Sequence, residues 1–340
     1  MKTKSLQFGK AMSAALFVLL LSVAGMKNAL AQTQVATLQH GEEISVFYGQ
    51  NAFVGAHTAA QTGDIITLSS GTFVPCDITK AITLRGAGCA IDTVASTNPT
   101  IFGGNIKLNV ADTANFLTIE GILFTNEVEY GTLNNPKFNR CNFTNIDYYS
   151  SSYNMNNAQF VNCIINQFSF NAARYTVLIN SVVWNVSFYT NNTAVLYNSI
   201  MRMNDWVYGL SAYNSIVIRT GYCKPYPNSS FVNCIGINNY TSGTAFGDGY
   251  TSGCDNYTSY DEVFESFAGE FSLDEPTPFI LKDEIATGFL GNDGTQVGIY
   301  GGFMPYTNRP TYMVMKRCNV ANKSTIDGKL SVDIEVVTEE

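Results

Sequence analysis

Leu178-Ile179-Asn180-Ser181-Val182-Val183 decides the fold, because its pattern returns through the middle of the chain. The pattern is apolar, any, Asn, small, any, apolar. It recurs as Phe160-Val161-Asn162-Cys163-Ile164-Ile165, Leu196-Tyr197-Asn198-Ser199-Ile200-Met201, Ala212-Tyr213-Asn214-Ser215-Ile216-Val217 and Phe231-Val232-Asn233-Cys234-Ile235. An earlier variant, Phe138-Asn139-Arg140-Cys141-Asn142-Phe143, carries Arg in the Asn slot. The Asn positions 162, 180, 198, 214 and 233 are 18, 18, 16 and 19 residues apart. A period of roughly 20 residues marks a solenoid. Each unit is too short for a strand plus a full helix and lacks the Leu-x-x-Leu-x-Leu framework of a leucine-rich repeat. That leaves a coil of short strands joined by tight bends. One such coil cannot bury its apolar side, but a stack of coils with parallel, in-register strands can.

The slots then acquire roles. Alternate strand positions face inward, so the Phe and Leu slot belongs to the core. Asn tolerates left-handed backbone angles and suits the corner between strands. Stacked amides at Asn162, Asn180, Asn198, Asn214 and Asn233 are expected to bond from coil to coil as a structural ladder. The Cys/Ser slot implies little room, so Cys141, Cys163 and Cys234 read as small buried thiols. Among the eight cysteines, Cys76 with Cys89 and Cys223 with Cys254 are the pairs placed to bridge.

Working outward, Ile65-Ile66-Thr67-Leu68, Ile82-Thr83-Leu84 and Leu117 to Phe124 read as strands, with Gly71, Gly86, Gly88 and Gly121 at bends. The total is about ten coils, a stack of about 50 Å at ~4.8 Å per coil. Asn51 to Gln61, rich in Ala, is expected to form a helix capping the first coil. Gly63-Asp64-Ile65-Ile66-Thr67-Leu68-Ser69-Ser70-Gly71-Thr72-Phe73, followed by Ile78 to Gly88, resembles the opening of the pectin-lyase-like right-handed parallel β-helix superfamily. The resemblance covers residues 40 to about 255, and it implies an all-β, right-handed fold without implying an activity. Leu290 to Gly302, with its Gly298-Ile299-Tyr300-Gly301-Gly302 run, is similar to the end of secreted β-helix proteins of Bacteroides-like bacteria.

The expected organisation is a signal peptide at 1–31, a capped parallel β-helix at 32–255, an end-cap segment at 256–302 and a C-terminal β tail at 303–340. Lys2, Lys4 and Lys10, the apolar run Ala14 to Val23 and Ala29-Leu30-Ala31 carry the first assignment, with cleavage before Gln32. It implies a secreted, periplasmic or cell-surface protein without a transmembrane segment after cleavage. In the tail, Tyr312 to Arg317 and Leu330 to Val336 are expected to pair as a hairpin, either a cap on the last coil or an attachment strand.

A net charge of −8 without a Lys/Arg cluster excludes a nucleic-acid partner. Only 14% of residues are charged, against about 25% in typical domains, and neutral polar side chains replace them. In residues 138–240 the carboxylates are Asp147 and Asp205. They lie about three coils, or ~15 Å, apart, beyond the ~5–9.5 Å of a glycosidase pair. Glu127, Glu129, Asp248 and Asp255 lie in neighbouring segments. The two histidines and the cysteine spacing supply no metal motif, and no catalytic residue or cofactor is assigned. The one unusual cluster is Trp184, Arg202, Asp205, Trp206, Tyr208 and Arg219, with Tyr189, Tyr222 and Lys224 beside them. Aromatic rings next to Arg and Asp suit sugars, although the same residues also suit loop packing. The expectation is a non-catalytic protein whose partner is a polysaccharide or another surface macromolecule. The alternatives are a polysaccharide lyase or glycoside hydrolase, and a structural adhesin stalk.

Overall fold

The computed structural model describes residues 34–91, 97–148, 154–188, 193–267, 269, 279–307, 314–320 and 332–337. The signal segment, Tyr189 and the tail loop at 327–328 lie outside the described residues. The fold is a parallel β-solenoid of about 9 turns. A 12-stranded sheet runs from Glu43–Tyr48 at one end to Tyr250–Ser252 at the other, and a 13-stranded sheet lies beside it. The turn count is close to the expected ten. Thr83–Arg85 pairs directly with Thr118–Glu120.

The N-terminal end is closed by an antiparallel hairpin and a helix. Strand β1 (Val35–His40) pairs with β2 (Glu43–Tyr48) and with Ile65–Leu68. Helix α1 (Ala52–Ala59) buries Ala52, Phe53 and Ala56 over the first coil. Lys80 closes the helix, its Nζ donating to the carbonyls of His57, Thr58 and Ala60 at 2.6, 3.0 and 2.7 Å. Orphan carbonyls and the negative end of the helix dipole both favour a cation there.

Inside the stack, side chains repeat from coil to coil. Phe53, Phe102, Phe124 and Phe143 follow one another at centroid distances of 4.8, 5.5 and 4.7 Å. Phe138 stacks on Phe160 at 4.7 Å. The repeat's Asn corner is left-handed throughout, with φ between 47° and 54° at Asn162, Asn180, Asn198, Asn214 and Asn233. Arg140 takes the same angle, φ 50°, and its guanidinium lies 3.6 Å from Glu120.

The expected amide ladder is not what the Asn column forms. Asn180 Nδ2 donates to the carbonyls of Ile299 and Gly301 at 2.8 and 2.7 Å. Asn214 Oδ1 accepts from the Asn292 amide at 3.0 Å, and Asn233 Nδ2 donates to Asn292 Oδ1. The column is therefore a row of clasps for residues 291–302, which run along the corner as a strap. Glycine at 291 and 302 follows from that approach, since a Cβ would lie 2.7 Å from Asn214 and 2.8 Å from Asn198 respectively. Among the described residues, Asn162 Oδ1 and Asn198 Nδ2 have no partner. Coil-to-coil amide bonds do occur at another corner, Asn156 to Asn134 and Asn157 to Asn135.

The ladder lies one residue on, in the Cys/Ser column. The amides of Cys163, Ser181 and Ser199 donate to the hydroxyls of Ser181, Ser199 and Ser215 at 3.0–3.1 Å. Each of these hydroxyls donates at 2.8 Å to the carbonyl two residues back. A small residue with a donor and an acceptor satisfies both groups in a slot too tight for anything larger.

The outer face of the second sheet changes character along the stack. Directly after the inward-facing residue, early coils carry Thr125, Thr144 and Asn166. Later coils carry Trp184, Arg202, Ile218 and Ile237 in the corresponding slot. The later face is covered. Trp184, Ile216, Ile218 and Ile237 form a second apolar core with Phe264, Phe267, Phe279, Leu281 and the strap residues Val297 and Ile299. The end-cap segment thus lies along the side of the stack. In the tail, Val314–Val320 and Val332–Val337 pair antiparallel.

Candidate functional site

The early coils leave their outer face open, and there a polar groove of ≈ 350 Å³ crosses three successive strands of the second sheet. The strands are Asn142–Tyr148, Ile164–Ser169 and Val182–Ser187, paired in parallel. Gln167 and Asn185 are register partners, as are Ser169 and Ser187. Asn145 precedes Ile146, the partner of Phe168, and so extends the amide row by one coil. Phe168 and Val186 alternate with this row and turn inward into the core, and Asp147, Tyr148 and Asn204 stand at the groove's margins. Several polar atoms are fixed by neighbours. Asn145 Nδ2 donates to Glu127 Oε1 at 2.9 Å, Asn185 Nδ2 to the Asn166 carbonyl at 3.2 Å, and Asn204 Oδ1 accepts from the Val186 amide at 2.9 Å. Gln167 keeps an exposed amide between them.

Carboxylates gather at one margin. Glu127 and Glu129 are the register partners of Asn145 and Asp147, and Lys107 is the partner of Glu129 on the other side. Neighbouring parallel strands are ~4.8 Å apart, so Glu129 and Asp147 start from adjacent backbone positions. Partial burial, with the charges of Glu129 and Asp147, raises the pKa of Glu127. This grouping escapes a reading of the coils from residue 138 onward, because its partners sit in the long strand Ile122–Asn134 of the preceding turn.

The aromatic and cationic candidates from the sequence divide into two groups. Trp184 is only 5% exposed, packed against Phe267 (5.3 Å, edge-on) and Phe279 (5.9 Å), with the Arg202 guanidinium 5.0 Å from its ring centre. Arg202 also donates to Asn185 Oδ1. Arg219 is 4% exposed and donates to five carbonyls, those of Gly221, Tyr222, Cys223, Ser242 and Thr244. It organises two loops. Neither Trp184 nor Arg219 offers a surface to a ligand.

Asp205, Trp206 and Tyr208 do share one accessible loop. Trp206 lies 5.3 Å from Tyr226 and 6.1 Å from Tyr222, and Tyr208 stacks on Tyr226 at 3.9 Å and 16°. Asp205 Oδ1 accepts from the Trp206 amide at 2.7 Å. A hydrogen bond with Tyr226 raises the Tyr208 pKa. Lys224 pairs with Asp248 at 2.8 Å beyond this aromatic ledge. The ledge follows Asn204 in sequence, so it continues from the groove's far margin.

The histidines have local roles. His40 Nδ1 meets Asp64 Oδ1 at 2.7 Å, and burial lowers the pKa of His57. Among the described residues, no group of three or more His, Cys, Asp or Glu is placed to hold a metal ion. No described helix is long and apolar enough to cross a membrane. Comparison of the chain with family models, with curated proteins and with solved structures finds no match.

Proposed function

We propose that this protein acts outside the cytoplasm as a glycan-binding solenoid, with the polar groove as its binding face and the Trp206 ledge as an extension. The observation that carries this reading is the row Asn145, Gln167 and Asn185, which presents amides at successive turns of the second sheet. A polysaccharide is a regular polymer with hydroxyl edges and apolar ring faces. A periodic row of donors and acceptors is complementary to those hydroxyl edges, and the half-buried ring of Trp206 supplies a face for a sugar to stack on. The signal-like N-terminus supports an extracytoplasmic setting.

The test is a glycan array followed by calorimetry on any hit. Gln167→Ala and Trp206→Ala should each weaken binding about tenfold, the loss of ~1.4 kcal/mol, with an unchanged melting temperature. Equal binding by both variants and the parent would refute the assignment of this face.

A second reading has its own observation. The Glu129–Asp147 register pair, with Glu127 beside it at a raised pKa, supplies the two kinds of carboxyl that glycoside hydrolysis needs. In that reading the groove cuts what it binds. New reducing ends from a bound glycan, lost in Asp147→Asn with binding retained, would select the hydrolase over the binding protein.

A further inference from the structure

The Cys/Ser ladder ends differently from how it begins. At Cys163, Ser181 and Ser199 the acceptor above is a hydroxyl. At the last step the Cys234 amide donates to Cys254 Sγ, at 3.3 Å. The adjoining residues Ile235 and Asp255 are register partners, so the two cysteines occupy the same corner of consecutive coils. A parallel-strand spacing of ~4.8 Å falls inside the ~4.4–6.8 Å Cα separation that a disulfide spans. Both residues are free thiols.

Access separates Cys254 from the other stacked cysteines. Cys141 and Cys163 are wholly buried, and their sulfurs lie against backbone carbonyls inside the stack. Cys254 is half-buried on the final coil, beside the exposed strand Tyr250–Ser252. We propose that Cys254 and Cys234 form a thiol–disulfide exchange site, which accepts a low-molecular-weight disulfide of the glutathione class and closes into a bridge between the last two coils. The residues match the two roles of such a site. Cys254 is reachable, and hydrogen bonds from Cys234 lower its pKa. Cys234 lies behind it, and burial raises its pKa. This is the asymmetry of an attacking and a resolving thiol.

The exchange balances in two steps. The Cys254 thiolate attacks one sulfur of the disulfide, breaking its S–S bond and releasing one thiolate, which takes up a proton. Cys234 then gives up its proton and attacks the Cys254 sulfur, expelling the second thiolate. The protein loses two electrons and two protons, and one small disulfide becomes two thiols.

The experiment exposes the full chain to oxidised glutathione under native conditions and maps cysteines by mass spectrometry without reduction. The parent should give a peptide linked through Cys234 and Cys254, with Cys141 and Cys163 alkylated only after unfolding. Cys234→Ser should fold, since Ser occupies the same slot at 181, 199 and 215, and it should trap glutathione on Cys254. A stable glutathione adduct on Cys254 in the parent, a link from Cys254 to Cys223, or no reaction in either protein would each overturn the proposal.

Discussion

The outer slot of the second sheet holds Thr125, Thr144 and Asn166 in the early coils and Trp184, Arg202, Ile218 and Ile237 in the later ones. The backbone is the same, and the environments differ. The early hydroxyls bond to the preceding coil, Thr125 Oγ1 to the Phe102 carbonyl at 3.1 Å and Thr144 Oγ1 to that of Phe124 at 3.0 Å. They need no cover. Apart from Arg202 the later residues are apolar, and Phe264, Phe267, Phe279 and Leu281 share a core with them. An identical strand position can therefore end in solvent or in a core, and the chain far downstream decides which. A Trp on a repeat face marks a binding platform only where nothing else in the chain packs on it.

The largest effect should come from uncovering the later face. Trp184→Ala removes a ring packed against Phe267 and Phe279, and it should cost about 3–5 kcal/mol in denaturant unfolding. Thr144→Ala, on the open face, should cost no more than about 1 kcal/mol. Equal losses would erase the distinction between the two faces.

A subtler comparison separates two members of one column. Asn180 and Asn198 share φ 47°, an angle that glycine adopts freely. Of these two, Asn180 clasps the strap through its amide nitrogen, whereas Asn198 Nδ2 has no partner among the described residues. Asn180→Gly should therefore be about 1–3 kcal/mol more destabilising than Asn198→Gly, because the Ile299 and Gly301 carbonyls lose a buried donor. Similar melting temperatures for the two variants would argue against the clasp.

The smallest effect concerns pH on the open face. The raised pKa of Glu127 means that the folded state holds its proton to higher pH than the unfolded chain does. Its contribution to stability is therefore greatest in acid, and it declines as pH rises from the ordinary glutamate value through the raised one. Glu127→Gln should flatten that decline slightly in a series of thermal melts. A steeper decline in the variant would mean that the sign is wrong.

The solenoid was legible because it is written in near neighbours. A residue at the Asn corner recurs at almost fixed spacing, so period and strand pattern suffice, and the capping helix is visible in Ala52, Phe53 and Ala56. The strap was not legible as a clasp. Its contacts link Asn180 to Gly301, and no local pattern announces which residues meet across that distance. The same blindness made Trp184 and Arg219 look available, and it hid Glu129 beside Asp147. The amide row did leave a trace. Asn145, Gln167 and Asn185 each follow the small residue of their repeat by four positions, a column as regular as the Asn corner but outside the six-residue motif.

The clasp also bears on the order in which the molecule becomes complete. Coils that touch only their neighbours can assemble one after another as the chain emerges, as in a one-dimensional array. Asn180 must wait 121 residues for Gly301, and Asn214 must wait 78 for Asn292. Synthesis from the N-terminus thus yields an open-sided stack first, with the faces of Trp184, Ile218 and Ile237 bare until the last part of the chain arrives. A long loop must be closed before those contacts form, which makes this step slow relative to coil-on-coil growth. The strap acts as a latch on an otherwise sequential process, and a chain cut short before residue 260 would carry every coil yet never leave the sticky intermediate.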